Sequence, residues 1–211
     1  MDNGPALMMT AILIVACYLI GSIPTAWLVA EIHHGQDIRR LGSGNVGVMN
    51  TALSVHRWAG LVVFLSEVAK GVAAVLLGRM SGGGDAAVGS AALAVIAGTR
   101  WPVWLKFAGG RGNTAGMAAL TCVSWVSLAA ALLVFLAGRL LTGSNFLAMR
   151  ICLLLLPLLM GLLTGSWWWV LFGALFSLMF LSTHRPESDD HLLLKARYPT
   201  LWAFLTSPPR K

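Results

Sequence analysis

The stretch Asp37-Ile-Arg-Arg-Leu-Gly-Ser-Gly-Asn-Val-Gly-Val-Met-Asn50 lies between two long apolar runs, and its reading decides how the chain is understood. Gly42, Ser43, Gly44 and Asn45 are small or amide residues in succession, and Gly47 adds another glycine. Such a run does not sustain a packed helix, because glycine opens backbone angles closed to other residues. It also lets successive N–H groups turn into one concavity, a shape that takes anions. Arg39 and Arg40 place positive charge just upstream. Two readings follow from these residues: a pocket for an oxygen-rich anion such as phosphate, or a flexible loop between membrane helices. A second basic, glycine-rich run, Lys106 to Gly112, tips the balance towards the pocket.

The surrounding composition is that of a membrane protein. Hydrophobic residues make up 57% of the 211 positions and charged residues 11%, with a mean hydropathy of +0.78. Soluble domains carry roughly 25% charged residues. The fold class read from this is all-α, a polytopic transmembrane helical bundle of five to seven spans. A net charge of +7 would point to nucleic acid in a soluble protein. In a membrane protein it reflects cytoplasmic loops facing anionic lipid, so a lipid bilayer and no nucleic acid is expected as partner. Cys17, Cys122 and Cys152 fall in apolar runs without metal-like spacing, which reads as small core residues. No metal or cofactor is expected. The first apolar run lacks a basic leader and reads as a retained helix.

Apolar runs place spans at about Ala6–Ala30, Ala59–Gly78, Ala86–Trp104 and Met117–Ala137. Between Leu147 and Leu181 lies room for two more, divided near Thr164-Gly165-Ser166 and broken at Pro157. Gly21-Ser22-Ile23-Pro24 predicts a local break in the first span, tolerated where neighbours satisfy the freed carbonyl. Glu67 and Lys70, three apart, share one face of the second span. They read as a structural ion pair or as groups turned to a polar site, since ionisable side chains at that depth are costly otherwise. His33 and His34 mark a membrane edge. The domains expected are a bundle over 1–182, with motif loops at 37–57 and 105–116, and a polar tail at 183–211.

Charge asymmetry orients the chain. With the N-terminus outside, the two glycine loops and the tail hold three, three and five of the fifteen Lys and Arg residues on the cytoplasmic side. Arg79, Arg139 and Arg150 then fall outside, and Lys70 lies within the membrane. Five or seven crossings keep the tail with the loops; six do not.

Taken together, Tyr18-Leu-Ile-Gly-Ser-Ile-Pro24, Asp37-Ile-Arg39, and Gly42-Ser-Gly-Asn-Val-Gly47 with Asn50 resemble the first motif of the bacterial acyl-phosphate-dependent glycerol-3-phosphate acyltransferases (PlsY). Glu67-Val-Ala-Lys-Gly71 is similar to that family's second helix, which usually carries Asp at the first place. Trp101-Pro-Val-Trp-Leu-Lys106-Phe and Gly109-Gly-Arg-Gly112 resemble its phosphate-binding second motif, and His184-Arg185 resembles the opening of the third. The chain departs from the family pattern at several places. Val48, Met49 and Leu53 stand in the first motif, Leu53 where the family has arginine. Thr99 replaces a histidine, Ala108 and Arg111 replace lysines, Glu187 replaces an asparagine, and a later arginine position falls near Asp190.

The resemblance implies a divergent family member with the family's helical fold, in the bacterial inner membrane, acting as a monomer. It implies transfer of a fatty acyl group from acyl-phosphate to the 1-hydroxyl of glycerol 3-phosphate, in phospholipid synthesis. Ser43, His184 and Arg111 are the expected catalytic residues. Arg39, Gly42, Gly44, Asn45, Gly47, Asn50, Lys106, Gly109, Gly110, Gly112 and Arg185 are expected to bind substrate phosphate, with Arg57 reaching in for the missing arginine one turn earlier. The alternative is a degenerate relative that binds phosphate or lipid head groups without this activity, or uses another acceptor. A small transporter is a third reading, prompted by the broken helix and the intramembrane ion pair.

Overall fold

Pro24 has no amide hydrogen to give, so the first apolar run has to stop being one helix there. In the computed structural model, which describes residues 4–183, 190–198 and 200–206, it divides into α1 (Gly4–Ser22) and α2 (Thr25–His34), and Gly35 ends α2 in the left-handed region at φ 60°. The break is tied to the next span from inside the membrane. Lys70 Nζ donates to Ile23 O at 2.6 Å, and Thr25 Oγ1 and Ser66 Oγ lie 2.9 Å apart.

The first glycine loop leads through a short 3-10 turn, Ile38–Arg40, into α3 (Val48–Ser54) and then α4 (Arg57–Met80). After the turn at Ser81–Gly83, α5 (Gly84–Arg100) returns to the level of the first loop. The second loop follows, then α6 (Asn113–Val123), α7 (Trp125–Thr142), α8 (Asn145–Thr164) and α9 (Trp167–Leu181). The tail carries α10 (Asp190–Arg197) and α11 (Leu201–Thr206). Five stretches are long and apolar enough to cross a membrane: Leu7–His34, Arg57–Met80, Gly84–Leu105, Trp125–Thr142 and Asn145–Thr164.

Where a single fourth span was expected over Met117–Ala137, the chain makes two elements. Ser124 leaves the helical region and its hydroxyl accepts from Ser127 N, so α7 starts afresh there. α6 covers only the half of α4 beyond Gly71: Gly71 lies against Ala115 and Ala119, and Arg79 Nη2 donates to Cys122 O at 2.6 Å. α7 then turns back and pairs antiparallel with α8, Cys152 Sγ reaching Ala131 O at 3.2 Å and Gly138 lying against Ala148. The break expected at Pro157 is absent. α8 runs on through it, and Gly173 of α9 lies against the Pro157 backbone.

Two contacts fix the direction of α9. At its start Trp168 Nε1 and Trp169 Nε1 each donate at 3.0 Å to Asp85, at the start of α5. At its end Ser182 Oγ accepts from Arg100 Nη2 at 3.3 Å, at the end of α5. The chain therefore passes through the bundle seven times, α6 and α9 being the two short passes. Thr183 is left on the face that holds both glycine loops. The α7–α8 turn also falls on that face, so Arg139 and Arg150 sit with the loops and not across from them. Among the described residues Arg79 is the one Lys or Arg at the opposite face.

α5 is the central element, packed on α1, α4, α6 and α9. Most of its buried positions are small: Ala87, Gly89, Ala91, Ala92, Ala94 and Gly98, beside Val88, Val95 and Ile96. Lipid supplies little hydrophobic force between apolar helices, so close backbone approach has to provide the cohesion. The approach is tightest where α1 crosses α5: a methyl group at Gly21 would overlap Val95 O, and one at Gly98 would overlap Tyr18 O. Gly98→Ala is expected to cost about 1–3 kcal/mol. A lower thermal unfolding midpoint in detergent is the result expected; an unchanged midpoint would show that the crossing yields without penalty.

Candidate active site

The shape of the first loop is set by Asn50, which is fully buried. Its Nδ2 donates to Ile38 O, Leu41 O and Asn45 O at 3.3, 3.0 and 2.9 Å. Its Oδ1 accepts from Ser43 N and Ser54 Oγ, both at 3.1 Å. One amide thus holds the loop closed on the start of α3. Gly42 and Gly44, with φ 54° and 73°, supply the left-handed turns that this closure requires. Further upstream, Asp37 accepts Arg39 N at 2.9 Å and pairs with the Arg39 guanidinium at 2.5 Å. The Arg39 side-chain bond holds the Asp37 carboxyl down to about 2 from its ordinary 3.8. This brace is therefore complete above about pH 4 and is lost only as pH falls towards 2.

The second loop is braced against the first. Gly109 N and Gly110 N donate to Arg100 O and Thr99 O, both at 3.2 Å. Arg39 Nη1 reaches Leu105 O at 3.4 Å. Gly110 lies directly on Val46 O, and any side chain there would overlap it. Most of the amides expected to face a concavity are engaged by the protein itself. Ser43 N, Gly44 N, Asn45 N and Gly47 N all bond within their own loop, and Gly109 and Gly110 are engaged as just described. These glycines make turns and close contacts, and side chains supply donors to the cavities beside them.

Those donors converge where two cavities meet. One, of about 250 Å³, is lined by Asn45, Gly47, Glu67, Thr99, Arg111, Gly112, Asn113, Thr114 and Asp190. The other, of about 380 Å³, is lined by Ser43, Gly44, Asn45, Arg100, Gly109, Gly110 and Arg111. Asn45 and Arg111 line both, and between them stands Asp190 at the start of α10. Asp190 Oδ1 accepts the Ser43 hydroxyl. Its Oδ2 accepts from Asn45 Nδ2 at 3.2 Å and from Arg111 Nη2 at 3.1 Å. Arg100 stacks on its neighbour Trp101 at 4.8 Å, and both line the larger cavity. Below, Glu67 Oε1 pairs with Lys70 Nζ at 2.5 Å, while Oε2 has no hydrogen-bond partner among the described residues. The intramembrane pair thus braces the α1–α2 break and also lies under the smaller cavity.

Of the residues expected at the site, Ser43, Gly44, Asn45, Gly47, Gly109, Gly110, Arg111 and Gly112 line these cavities. Asn50 and Gly42 shape the loop from behind. Arg39 is committed to Asp37 and Leu105. Lys106 is exposed, in the left-handed region at φ 54°, and lines neither cavity. Arg57 does not take the place of the missing arginine. It begins α4 and stacks at 5.2 Å on Phe204 of α11, on the side where Arg197 Nη1 donates to Leu53 O at 2.7 Å. Arg57 and Arg197 clamp the tail. His184 and Arg185 lie outside the described residues. Sequence reading missed Arg100 as a site residue, although its position just before Trp101-Pro102 in a charge-poor span was a signal. It took Asp190 only as a misplaced charge.

A family profile described as Glycerol-3-phosphate acyltransferase matches residues 11–192. The chain is 37% identical over 166 residues to a glycerol-3-phosphate acyltransferase of Desulforamulus reducens, covering 79% of this chain and 83% of that one. It is 39% identical over 174 residues to glycerol-3-phosphate acyltransferase 2 of Moorella thermoacetica, covering 82% and 89%. The fold is similar to the crystal structure of PlsY (YgiH), an integral membrane glycerol 3-phosphate acyltransferase, in its glycerol 3-phosphate form. The TM-score is 0.71 at 25% identity, covering 89% of this chain and 93% of that one.

Asn50→Ala removes the acceptor of Ser43 N and Ser54 Oγ, at about 1–3 kcal/mol for each buried group left unsatisfied, and leaves Ile38 O, Leu41 O and Asn45 O with their backbone donors alone. Amide exchange over residues 41–47 is expected to become fast while the spans stay protected. Protection equal to wild type would show that the loop does not depend on this side chain.

Proposed function

Because this chain belongs to the glycerol-3-phosphate acyltransferase family, we propose that it transfers a fatty acyl group from acyl-phosphate to the 1-hydroxyl of glycerol 3-phosphate. The observation that carries this reading is the meeting of Ser43, Asn45 and Arg111 from two separate glycine loops at one membrane-edge site, with Arg100 beside them. The hydroxyl oxygen bonds to the acyl carbon and the carbon–oxygen bond to phosphate breaks. The hydroxyl proton leaves with inorganic phosphate, and the other product is lysophosphatidate. The mixed anhydride is already activated, so no covalent enzyme intermediate is required.

The protein's task is to hold two anions together and aim one hydroxyl. Such positioning is worth up to about 7–11 kcal/mol in the best aligned cases. The Arg111 fork and the Ser43 and Asn45 donors suit phosphate oxygens. They also oppose the charge that builds as the leaving group departs. In this reading His184 and Arg185 contact glycerol 3-phosphate. The glycine loops and tail face the cytoplasm of a bacterial inner membrane, and the protein works as a monomer. A groove of about 350 Å³ between α4 and α6, lined by Phe64, Val68, Met117, Ala118 and Thr121, shares Asn113 and Thr114 with the smaller cavity. It offers the acyl chain a path from the site into lipid.

One observation favours a second reading, a relative that binds phosphate without turnover: the cradle already holds the Asp190 carboxylate. Purified protein given acyl-phosphate and glycerol 3-phosphate separates the two, since the first releases phosphate and the second does not. Ser43→Ala and Arg111→Ala should each slow release by about 100-fold or more; wild-type rates in both would remove the reaction from this site. Thr121 lies two turns beyond Thr114, about 10 Å along the groove. Thr121→Trp should therefore lower kcat/KM for long-chain donors while sparing short ones, and equal loss for both would place the chain elsewhere.

A further inference from the structure

Among the described residues Asp190 is the one carboxylate bonded to Ser43, Asn45 and Arg111, and it stands near a position where the family has arginine. It is 7% exposed, and both of its oxygens are used. Oδ1 takes the Ser43 hydroxyl, and Oδ2 takes Asn45 Nδ2 at 3.2 Å and Arg111 Nη2 at 3.1 Å. A carboxylate and a phosphate present the same thing to such donors: oxygens sharing negative charge, matched by hydroxyl, amide and guanidinium hydrogens. The three donors serve one or the other. If both anions stayed, two like charges would face each other in a half-enclosed site with Arg111 shared between them.

We propose that Asp190 is an internal competitor for the phosphate cradle, an affinity-setting residue whose carboxylate a phosphate-bearing substrate has to displace. The charge inventory supports this. Among the described residues Arg111 pairs with Asp190 and Lys70 with Glu67, and Arg100 is a further guanidinium lining the larger cavity. Displacing Asp190 makes the Arg111 Nη2 hydrogen it accepts available to a phosphate, in a cavity that Arg100 also lines. The cradle's affinity is thus the difference between holding substrate phosphate and holding the chain's own carboxylate. Asp190 does not touch reacting atoms, so its effect falls on binding and not on the chemical step. A simple tie for α10 would behave differently, because loosening α10 would not tighten the cradle.

The proposal rests on the acyltransferase reading only for the identity of the substrate. The probes are inorganic phosphate and glycerol 3-phosphate, titrated calorimetrically into the full-length protein in detergent, together with steady-state kinetics. Asp190→Asn keeps the shape and removes the charge. It is expected to tighten phosphate binding by about tenfold, to lower KM for glycerol 3-phosphate by a similar factor, and to change kcat by less than about threefold. Unchanged or weaker phosphate binding overturns the proposal, as does loss of kcat at constant KM. Asp190→Ser, smaller and also neutral, must tighten binding as well, and it carries the test should the asparagine variant not fold. Asp190→Glu retains the charge and should bind phosphate no better than wild type; a gain matching that of Asp190→Asn would overturn the proposal. If neither wild type nor variant releases phosphate from acyl-phosphate while the tenfold gain in binding is present, the activity assigned above fails and the competitor stands. If release is normal and the gain is absent, the reverse holds.

Discussion

Five polar groups converge on the side-chain amide of Asn50, and the position of every donor in the cradle follows from that convergence. The amide has two hydrogens and a carbonyl oxygen, and with three carbonyls, one backbone N–H and one hydroxyl around it they are fully occupied. An amide buried with this many partners is stable in one geometry, because moving it exposes several unsatisfied groups at once. The loop is therefore rigid although it contains three glycines in six residues, Gly42 to Gly47. Ser43 sits on the closed loop with its N–H committed inward and its hydroxyl left to face the cavity. Gly110 then presses on Val46 O, which transfers the position of the first loop to the second and so to Arg111.

The bundle beneath has a matching logic. A membrane interior gives little reward for joining apolar surfaces, so the helices hold through close contact between small residues and through polar ties. The Gly21 and Gly98 crossing brings α1 onto α5. Lys70 then spans from Glu67 to the carbonyl left at the α1–α2 break. A broken helix and a buried ion pair are each costly alone, and here each supplies what the other lacks. The same pair places Glu67 under the smaller cavity, so an element of structural cohesion also shapes the electrostatics of the site.

Positive charge is gathered at one face. Arg100 and Arg111 reach the cavities, Arg39 is held by Asp37, and Arg57 and Arg197 hold the tail against α3 and α4. Among the described residues the tail contributes the Asp190 carboxylate to the cradle. A site built to hold anions that admits a carboxylate from its own chain has a lower affinity for its ligands than its arginines alone would give. Its specificity is then set by competition as well as by complementarity.

The sequence by itself determined the membrane-spanning helical class, the break at Pro24, the meeting of two glycine loops, and their common side. Each is a local consequence of composition, of proline's missing hydrogen, or of charge bias along the chain. Tertiary structure decided the rest. That Ser124 splits one apolar run into two passes depends on a single cap, which average hydropathy does not register. That the first loop closes on the start of α3 depends on Asn50 reaching across five to twelve residues. That Arg57 faces the tail while Asp190 enters the cradle depends on how α10 packs on α3 and α11 meets the start of α4. Residues 147 positions apart meet only when the fold brings them together, and neither spacing nor periodicity encodes which long-range pair will form.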